Sequence, residues 1–346
     1  MIYIVTVYKS YNYGSILQAR MLYRILANYN TDIVFLDSKS RTYLDKNRFK
    51  DVLRAVLKEK NIRKACFLLG GIKQIILAWK QMRSTTTITN NTNNIIVLGS
   101  DEIWNVNRAE CRYDVFFGAN CKGKIFSYAP SVNNTTREQF AEYPPTSNID
   151  FYSAISVRDL YSKTVVSGVT DKNISVVLDP TLLFDYQIYA EEKIIKKINT
   201  HYIALYVFEP KLTSEEICAI QKFAQARNLK LISLGKWIDW CDESIPAIDG
   251  NPFLYYKGAE FVITNTFHGT AFAINFEKEF ITFTRNNRKV KELIETFELL
   301  ERDASGCTSE EIQEIFERKI DYERITDKKH DLRKTSIEYI HKAFSN

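Results

Sequence analysis

The sequence predicts an α/β chain of two Rossmann-like domains followed by a charged helical tail, and three observations carry that prediction. Short β-branched runs alternate with helix-period segments in two series, with Asp179-Pro180 between them. The length, 346 residues, is enough for two full-sized cores at ~100 to 200 residues per domain. The chain carries 21 Phe and 20 Tyr but only 12 Gly and 7 Pro. So much aromatic surface must be buried, which excludes a disordered, collagen-like or low-complexity chain.

Taken in order, Ile2 to Val7 reads as a buried strand, Ser15 to Tyr29 has helical periodicity and Ile33 to Asp37 is a second strand, so the chain opens as a βαβ unit. Two basic helices are expected near 47 to 60 and 62 to 83, and the polar tract 85 to 94 as a loop. Ile95 to Leu98 is an apolar run ending in Gly99-Ser100-Asp101, as a core parallel strand ends at a functional edge. Further strands fit Lys124 to Tyr128, Ala154 to Val157 and Ser175 to Leu178, and Asp179-Pro180 then reads as a hinge. Beyond it, Tyr202 to Phe208, Lys230 to Leu234, Phe261 to Thr264 and Phe280 to Phe283 read as strands. Helices are expected over Ser214 to Arg227, near 251 to 258 and over His268 to Phe276. The expected domains are 1–175, 176–308 and a helical tail, 309–346, that packs back on the first domain. The basic helical segment 39–83 is expected to belong to the first domain.

The formal net charge is +5, from 47 Lys+Arg and 42 Asp+Glu. It is unevenly placed: residues 39–83 hold thirteen basic residues and three acids, so this segment is +10 and the remainder −5. The opening residues show no basic leader and no cleavage site, and the most apolar stretch, Ala65 to Trp79, is interrupted by Lys73 and Gln74. A cytosolic location with no membrane span is therefore expected. Six cysteines form no CxxC pair or zinc-spaced cluster, so reduced thiols and no metal are expected.

Four segments are candidates for chemistry. In the loop Tyr8 to Ser15, residues Asn12, Gly14 and Ser15 can turn the chain, cap a helix and offer N–H groups to an anion. A capped turn without ligand is the alternative, and the spacing matches neither a dinucleotide fingerprint nor a P-loop. Gly99 to Asn105 places Asp101, Glu102, Trp104 and Asn105 at a strand end. Carboxylates and amides there would pair with sugar hydroxyls, the indole would cover a pyranose face, and Asp101 could draw a hydroxyl proton. A helix N-cap with first-turn acids is the plainer reading. Arg158, just past a strand, suits a phosphate or carboxylate or an ordinary contact with Asp159. His268, beside Gly269 at a strand-to-helix junction, is the one histidine of four in a site-like setting, with a structural histidine as the alternative.

With these residues in place, the chain resembles the polysaccharide pyruvyl transferase family. The resemblance runs through Asn12-Tyr13-Gly14-Ser15 with Leu17-Gln18, Gly99-Ser100-Asp101-Glu102-Ile103-Trp104-Asn105, Ser127-Tyr128-Ala129-Pro130-Ser131, Ser156-Val157-Arg158-Asp159, Leu178-Asp179-Pro180-Thr181 and Phe267-His268-Gly269. It implies a GT-B-like fold whose two domains face a cleft, and transfer of a pyruvyl group from phosphoenolpyruvate to two hydroxyls of a sugar, with no cofactor. It also implies His268 and Asp101 as catalytic residues, with the donor phosphate held by Arg158, Asn12, Gly14, Ser15 and Arg285. Glu102, Trp104 and Asn105 would hold the acceptor. Many members carry an arginine two residues before the histidine; here it is Thr266, which shifts the phosphate onto Arg158, Arg285 or Arg288. Family acceptors are often lipid-linked, so the stretch 39–83, with Phe67, Leu68, Leu69, Ile75, Ile76, Leu77 and Trp79 beside its cations, is expected to rest on an anionic membrane or to meet a pyrophosphate linker. A solvated basic face over a packed apolar one is the alternative. A nucleotide-sugar glycosyltransferase and a non-catalytic sugar- or nucleic-acid-binding protein are the competing functions. Nucleic acid is not expected, because the basic stretch has no recognised binding motif and the rest of the chain is acidic.

Overall fold

A computed structural model of the chain describes residues 1–10, 12–37, 46–183, 201–208, 212–246 and 251–345, with backbone only at 46–49 and 251–253. Residues 39–45 of the basic stretch lie outside the described residues, as does part of the expected second domain, 184–200. Contacts divide the chain into two compact units. One is Met1–Tyr43 with Trp79–Phe184 and Lys328–Asn346, and the other is Leu44–Ala78 with Asp185–Asp327.

The first unit opens with β1 (Ile2–Val5), α1 (Tyr13–Leu26) and β2 (Ile33–Leu36). Two helices follow, α2 (Lys46–Leu57) and α3 (Ile62–Lys80), and then β3 (Ser84–Thr85), β4 (Ile95–Leu98) and β5 (Lys124–Ser127). The five strands form a parallel sheet in the order β3-β2-β1-β4-β5. Strands β1 and β2 are buried along their whole length, as continuous apolar runs are in a sheet covered on both faces. After α4 (Arg137–Ala141), a parallel pair, β6 (Ile155–Val157) and β7 (Ile174–Val176), flanks α5 (Leu160–Val166). A bridge from Phe126 to Ala154 sets this pair beside β5. The short helix α6 (Pro180–Leu183) follows.

The second unit repeats the plan with β8 (Tyr202–Tyr206), α7 (Ser214–Ala226), β9 (Lys230–Leu234), β10 (Glu243–Ile245), α8 (Asn251–Gly258), β11 (Phe261–Thr264), α9 (Phe267–Asn275) and β12 (Glu279–Thr282). Its sheet is parallel in the order β10-β9-β8-β11-β12. The helices α10 (Arg288–Thr296), α11 (Ser309–Glu317) and α12 (Tyr322–Ser345) end the chain. Thr213 with Glu216 and Thr308 with Glu311 form capping boxes that start α7 and α11. In both sheets the strand order reverses between the first strand and its neighbour, β1/β4 in one and β8/β11 in the other. Such a reversal opens a crevice at the carboxyl ends of the strands.

Four expectations change. Residues 44–78 pack with the second unit rather than the first: the Phe67 ring meets Trp237 edge-on, with centroids 5.7 Å apart. The Phe67, Ile75 and Trp79 side chains, expected beside a lipid surface, are buried. The first unit also runs past the expected boundary at 175, because Asp179 and α6 belong to it. Asp179 is no free hinge. Its Oδ1 accepts the Thr181 amide at 2.9 Å and hydroxyl at 2.7 Å, which caps α6 with Pro180 in its first turn. Among the described residues, no helix is long and apolar enough to cross a membrane.

Candidate functional site

In the first unit the site is built at the β1/β4 switch point. Gly99, at the end of β4, has φ +130°, and a Cβ there would stand 2.0 Å from the Tyr128 carbonyl oxygen. Only glycine lets the chain turn so close to the segment after β5. The turn is held by α1. Gln18 Nε2 donates to Thr6 Oγ1 (3.1 Å), Val7 O (3.2 Å) and Ser15 O (2.9 Å), and its Oε1 accepts from the Ser100 hydroxyl. Thr6 Oγ1 donates to the Ser100 carbonyl at 3.0 Å. Asp101 is thereby fixed at φ +70°, with Oδ2 accepting the Ser15 hydroxyl at 2.6 Å and Oδ1 the Glu102 amide at 2.9 Å.

Around Asp101 lie the other polar groups of this unit. Glu102 Oε2 accepts from Asn133 Nδ2 (2.7 Å) and Asn105 Nδ2 (3.4 Å), while Asn105 Oδ1 accepts the Thr135 hydroxyl at 3.2 Å. Arg158 follows β6, and its Nη1 meets Asp179 Oδ2 at 3.2 Å, both side chains being buried. Burial opposes the guanidinium charge, but Asp179, then Asp101, Asp159 and Glu102, outweigh it and hold its pKa above the ordinary arginine value. Arg158 thus remains a cation inside an acidic, nearly closed cluster. Asp159 caps α5, accepting the Ser162 amide at 2.7 Å, and its other oxygen takes the Ser131 hydroxyl at 2.7 Å.

The structure assigns other work to several expected site residues. Asn12 caps α1: its Oδ1 accepts the Gly14 amide at 3.0 Å and its carbonyl the Ser15 amide at 3.1 Å. The Gly14 and Ser15 amides are consumed by the cap and do not form the expected anion cradle; what Ser15 brings to the site is its hydroxyl. Trp104 is fully buried, stacks on Phe117 with centroids 6.1 Å apart, and donates its indole N–H to the Phe116 carbonyl at 3.0 Å. It is a core residue, with no face left for a sugar ring.

In the second unit the corresponding edge carries His268. Asn265 joins the two loops of the β8/β11 switch, its Oδ1 accepting the Phe208 amide at 2.9 Å and its Nδ2 donating to the Phe208 carbonyl at 2.8 Å. Thr266 caps α9 by accepting the Gly269 amide at 3.0 Å. A Cβ on Gly269 would lie 2.1 Å from Thr264 Oγ1, so the first turn of α9 sits tight against β11. His268 is buried in that turn, edge-on to Phe267 at 5.4 Å and stacked on Phe272 at 6.3 Å. Arg285, after β12, is ion-paired at 2.6 Å to Glu216, the residue that closes the α7 capping box.

Asp101, Ser15, Glu102 and Asn105 are thus joined by hydrogen bonds in the first unit, where Arg158 pairs with Asp179 and feels the charges of Asp101 and Glu102, and His268 and Arg285 share the sheet edge of the second. Sequence reasoning missed Gln18 and Asp179 as the residues that hold Asp101 and Arg158. The Asp-Pro-Thr signature of a helix start was the available signal for Asp179, whereas Gln18 stands out only as part of the resemblance segment Asn12 to Gln18. Among the described residues, no cluster of His, Cys, Asp and Glu could hold a metal ion.

The family model of polysaccharide pyruvyl transferases matches residues 12–287. Among solved structures, the chain is similar to a UDP-GlcNAc 2-epimerase from Methanocaldococcus jannaschii in complex with UDP-GlcNAc and UDP, at 11% identity and TM-score 0.51, covering 92% of this chain and 93% of that one. It is also similar to a UDP-GlcNAc 2-epimerase from Neisseria meningitidis bound to UDP-GlcNAc, at 10% identity and TM-score 0.50, covering 100% and 99%. At these identities the likeness is one of fold, and the fold is GT-B-like α/β. No curated protein sequence matches the chain.

Proposed function

The chain belongs to the polysaccharide pyruvyl transferase family, and we propose that it moves a pyruvyl group from phosphoenolpyruvate to two hydroxyls of a sugar, giving a cyclic ketal and inorganic phosphate. The observation that carries this reading is the extent of the family match, which spans both the Asp101–Arg158 group and His268.

The chemistry asks for three things. Carbon 3 of the enol must gain a proton, which makes carbon 2 an oxocarbenium-like electrophile. One sugar hydroxyl adds there and loses its proton; the second displaces phosphate, and its proton leaves with the phosphate. One hydroxyl proton thus balances the proton added to carbon 3. In this reading Asp101, oriented by the Ser15 hydroxyl at 2.6 Å, orients and deprotonates the attacking hydroxyl. Glu102 and Asn105 hold the acceptor, and Arg158 supplies fixed positive charge to the carboxylate or phosphate of the donor. His268, in the first turn of α9 where the helix dipole favours an anion, holds the donor or passes it a proton. The acceptor is a lipid-linked sugar of cell-surface polysaccharide synthesis, and the six unbonded cysteines suit the cytosol.

The test is phosphate release from phosphoenolpyruvate in the presence of sugar acceptors, with the ketal identified on the product by mass spectrometry. Release of a nucleoside diphosphate from a nucleotide sugar, with phosphoenolpyruvate left intact, would replace this reading by glycosyl transfer.

A further inference from the structure

Six of the nine large apolar side chains that are exposed among the described residues fall within residues 53–77: Leu53 (57% exposed), Val56 (45%), Leu57 (72%), Ile62 (73%), Leu69 (48%) and Leu77 (45%). They are ordered. On α2, Leu53, Val56 and Leu57 stand at i, i+3 and i+4, on one face. On α3, Ile62, Leu69 and Leu77 share a stripe with the exposed Cys66 and Lys73, at successive spacings of four, three, four and four. Each helix buries a different set of residues, Val52 and Ala55 on α2 and Ala65, Phe67, Ile72, Ile75 and Ala78 on α3. An ordinary surface helix keeps its outer face polar, so a second apolar stripe needs an occupant.

The charges say which occupant. Residues 50–80 hold eight Lys/Arg and two acids, Asp51 and Glu59. Glu59 is engaged by Arg54 at 3.3 Å and Lys64 at 2.7 Å. Lys50 and Arg54 border the α2 stripe at helical spacing, and Lys58, Lys60 and Arg63 surround its junction with α3, all of them exposed. The corner is built: the Asn61 amide donates to the Ala55 carbonyl at 2.9 Å, and Asn61 Oδ1 accepts the Lys64 amide at 2.9 Å. We infer that the α2–α3 corner docks on an anionic lipid bilayer, with Leu53, Leu57 and Ile62 entering the acyl boundary and the lysines reaching back to headgroup phosphates. The apolar stripe supplies depth and the cations supply selectivity for anionic lipid. This inference does not depend on the proposed reaction.

The test is sedimentation of the full chain with vesicles of phosphatidylcholine and phosphatidylglycerol, against vesicles of phosphatidylcholine alone, beside sedimentation equilibrium without lipid. The expected result is binding at least ~10-fold tighter to the anionic vesicles, weakened by salt. A Leu53→Asp, Leu57→Asp, Ile62→Asp variant and a Lys58→Glu, Lys60→Glu, Arg63→Glu variant should each lose that binding by ~10-fold or more while keeping the wild-type circular dichroism and urea midpoint. A Leu57→Trp variant should show a blue-shifted emission on anionic vesicles. Equal binding to both vesicle types, variants that bind as wild type, or an unshifted Trp emission would overturn the inference. Self-association that Leu57→Asp abolishes, with no vesicle binding by the wild type, would assign the stripe to a second copy of the chain instead.

Discussion

Asp101 accepts the Ser15 hydroxyl and the Glu102 amide at a backbone angle that its neighbours impose. Asp101→Asn keeps the shape and the hydrogen-bond acceptor for Ser15 but removes the base, so phosphate release from phosphoenolpyruvate should fall by ~10²- to 10⁴-fold with the melting temperature nearly unchanged. A comparable loss of stability would instead make Asp101 a structural residue. Gly269→Ala should behave the other way. Its Cβ would lie 2.1 Å from one threonine hydroxyl and 2.8 Å from another, which costs ~1 to 3 kcal/mol on the overpacking scale, read as a lower urea midpoint. The thiols give a third residue-scale prediction. Burial pushes Cys111 and Cys241 up to about 12 and Cys121 up to about 11. A raised pKa means a protonated, unreactive thiol below that pH, so iodoacetamide at pH 8 should label the exposed Cys66 and Cys218 and spare these three. Aspartate, arginine and histidine were legible at this scale because each follows a strand end readable from the sequence. Trp104 was not: its burial depends on Phe116, Phe117 and Phe140, which only the tertiary fold brings to it.

At the scale of elements, the buried apolar strands 95–98, 230–234 and 261–264 are where the pattern puts them, while those expected at 2–7, 202–208 and 280–283 end or start one or two residues away, at 2–5, 202–206 and 279–282. The edge strands β3 and β10 were not, because two or three residues carry no period and only a neighbouring strand makes them strands. The docking of α2 and α3 also escaped the sequence, since amphipathicity tells that a helix packs but not against which unit. α6 shows what an element can owe to one side chain. Asp179 both caps it and pairs with the buried Arg158, so Asp179→Ala should remove a cap and one counter-ion of a buried cation, at a cost of ~3 to 5 kcal/mol in urea denaturation. Adding Arg158→Met should recover part of that loss, because the guanidinium then no longer needs a partner. A double variant no more stable than the single would show that the cap, not the ion pair, dominates.

At the scale of the whole molecule, the first unit is not complete until the last residues of the chain are in place. Residues 328–346 belong to it by contact although some 140 residues of the other unit precede them in sequence. Their bonds reach backbone groups of the first unit, and the Leu178 amide and Leu182 carbonyl draw their side-chain partners from this helix. Ser336 Oγ accepts the Leu178 amide at 2.9 Å, Tyr339 donates to the Ser127 carbonyl at 2.8 Å, and Arg333 Nε donates to the Leu182 carbonyl at 2.6 Å. Ile340 and Ala343 are fully buried beside them, and Tyr29 stacks on Phe344 with centroids 4.4 Å apart. Each orphaned buried group costs ~1 to 3 kcal/mol, so their combined loss, with the apolar surface uncovered, approaches the ~5 to 15 kcal/mol that holds a typical domain together. A chain ending at Asp327 should therefore give a first unit that is digested by protease at low enzyme ratios, while fragments of the second unit persist. Ser336→Ala, which removes only the partner of the Leu178 amide, should lower the urea midpoint by the cost of one such group and leave the second unit's protease resistance unchanged. If the truncated chain resisted protease throughout, the contacts of 328–345 would be dispensable, and the sheet of the first unit would have to be stable without the helix that closes it.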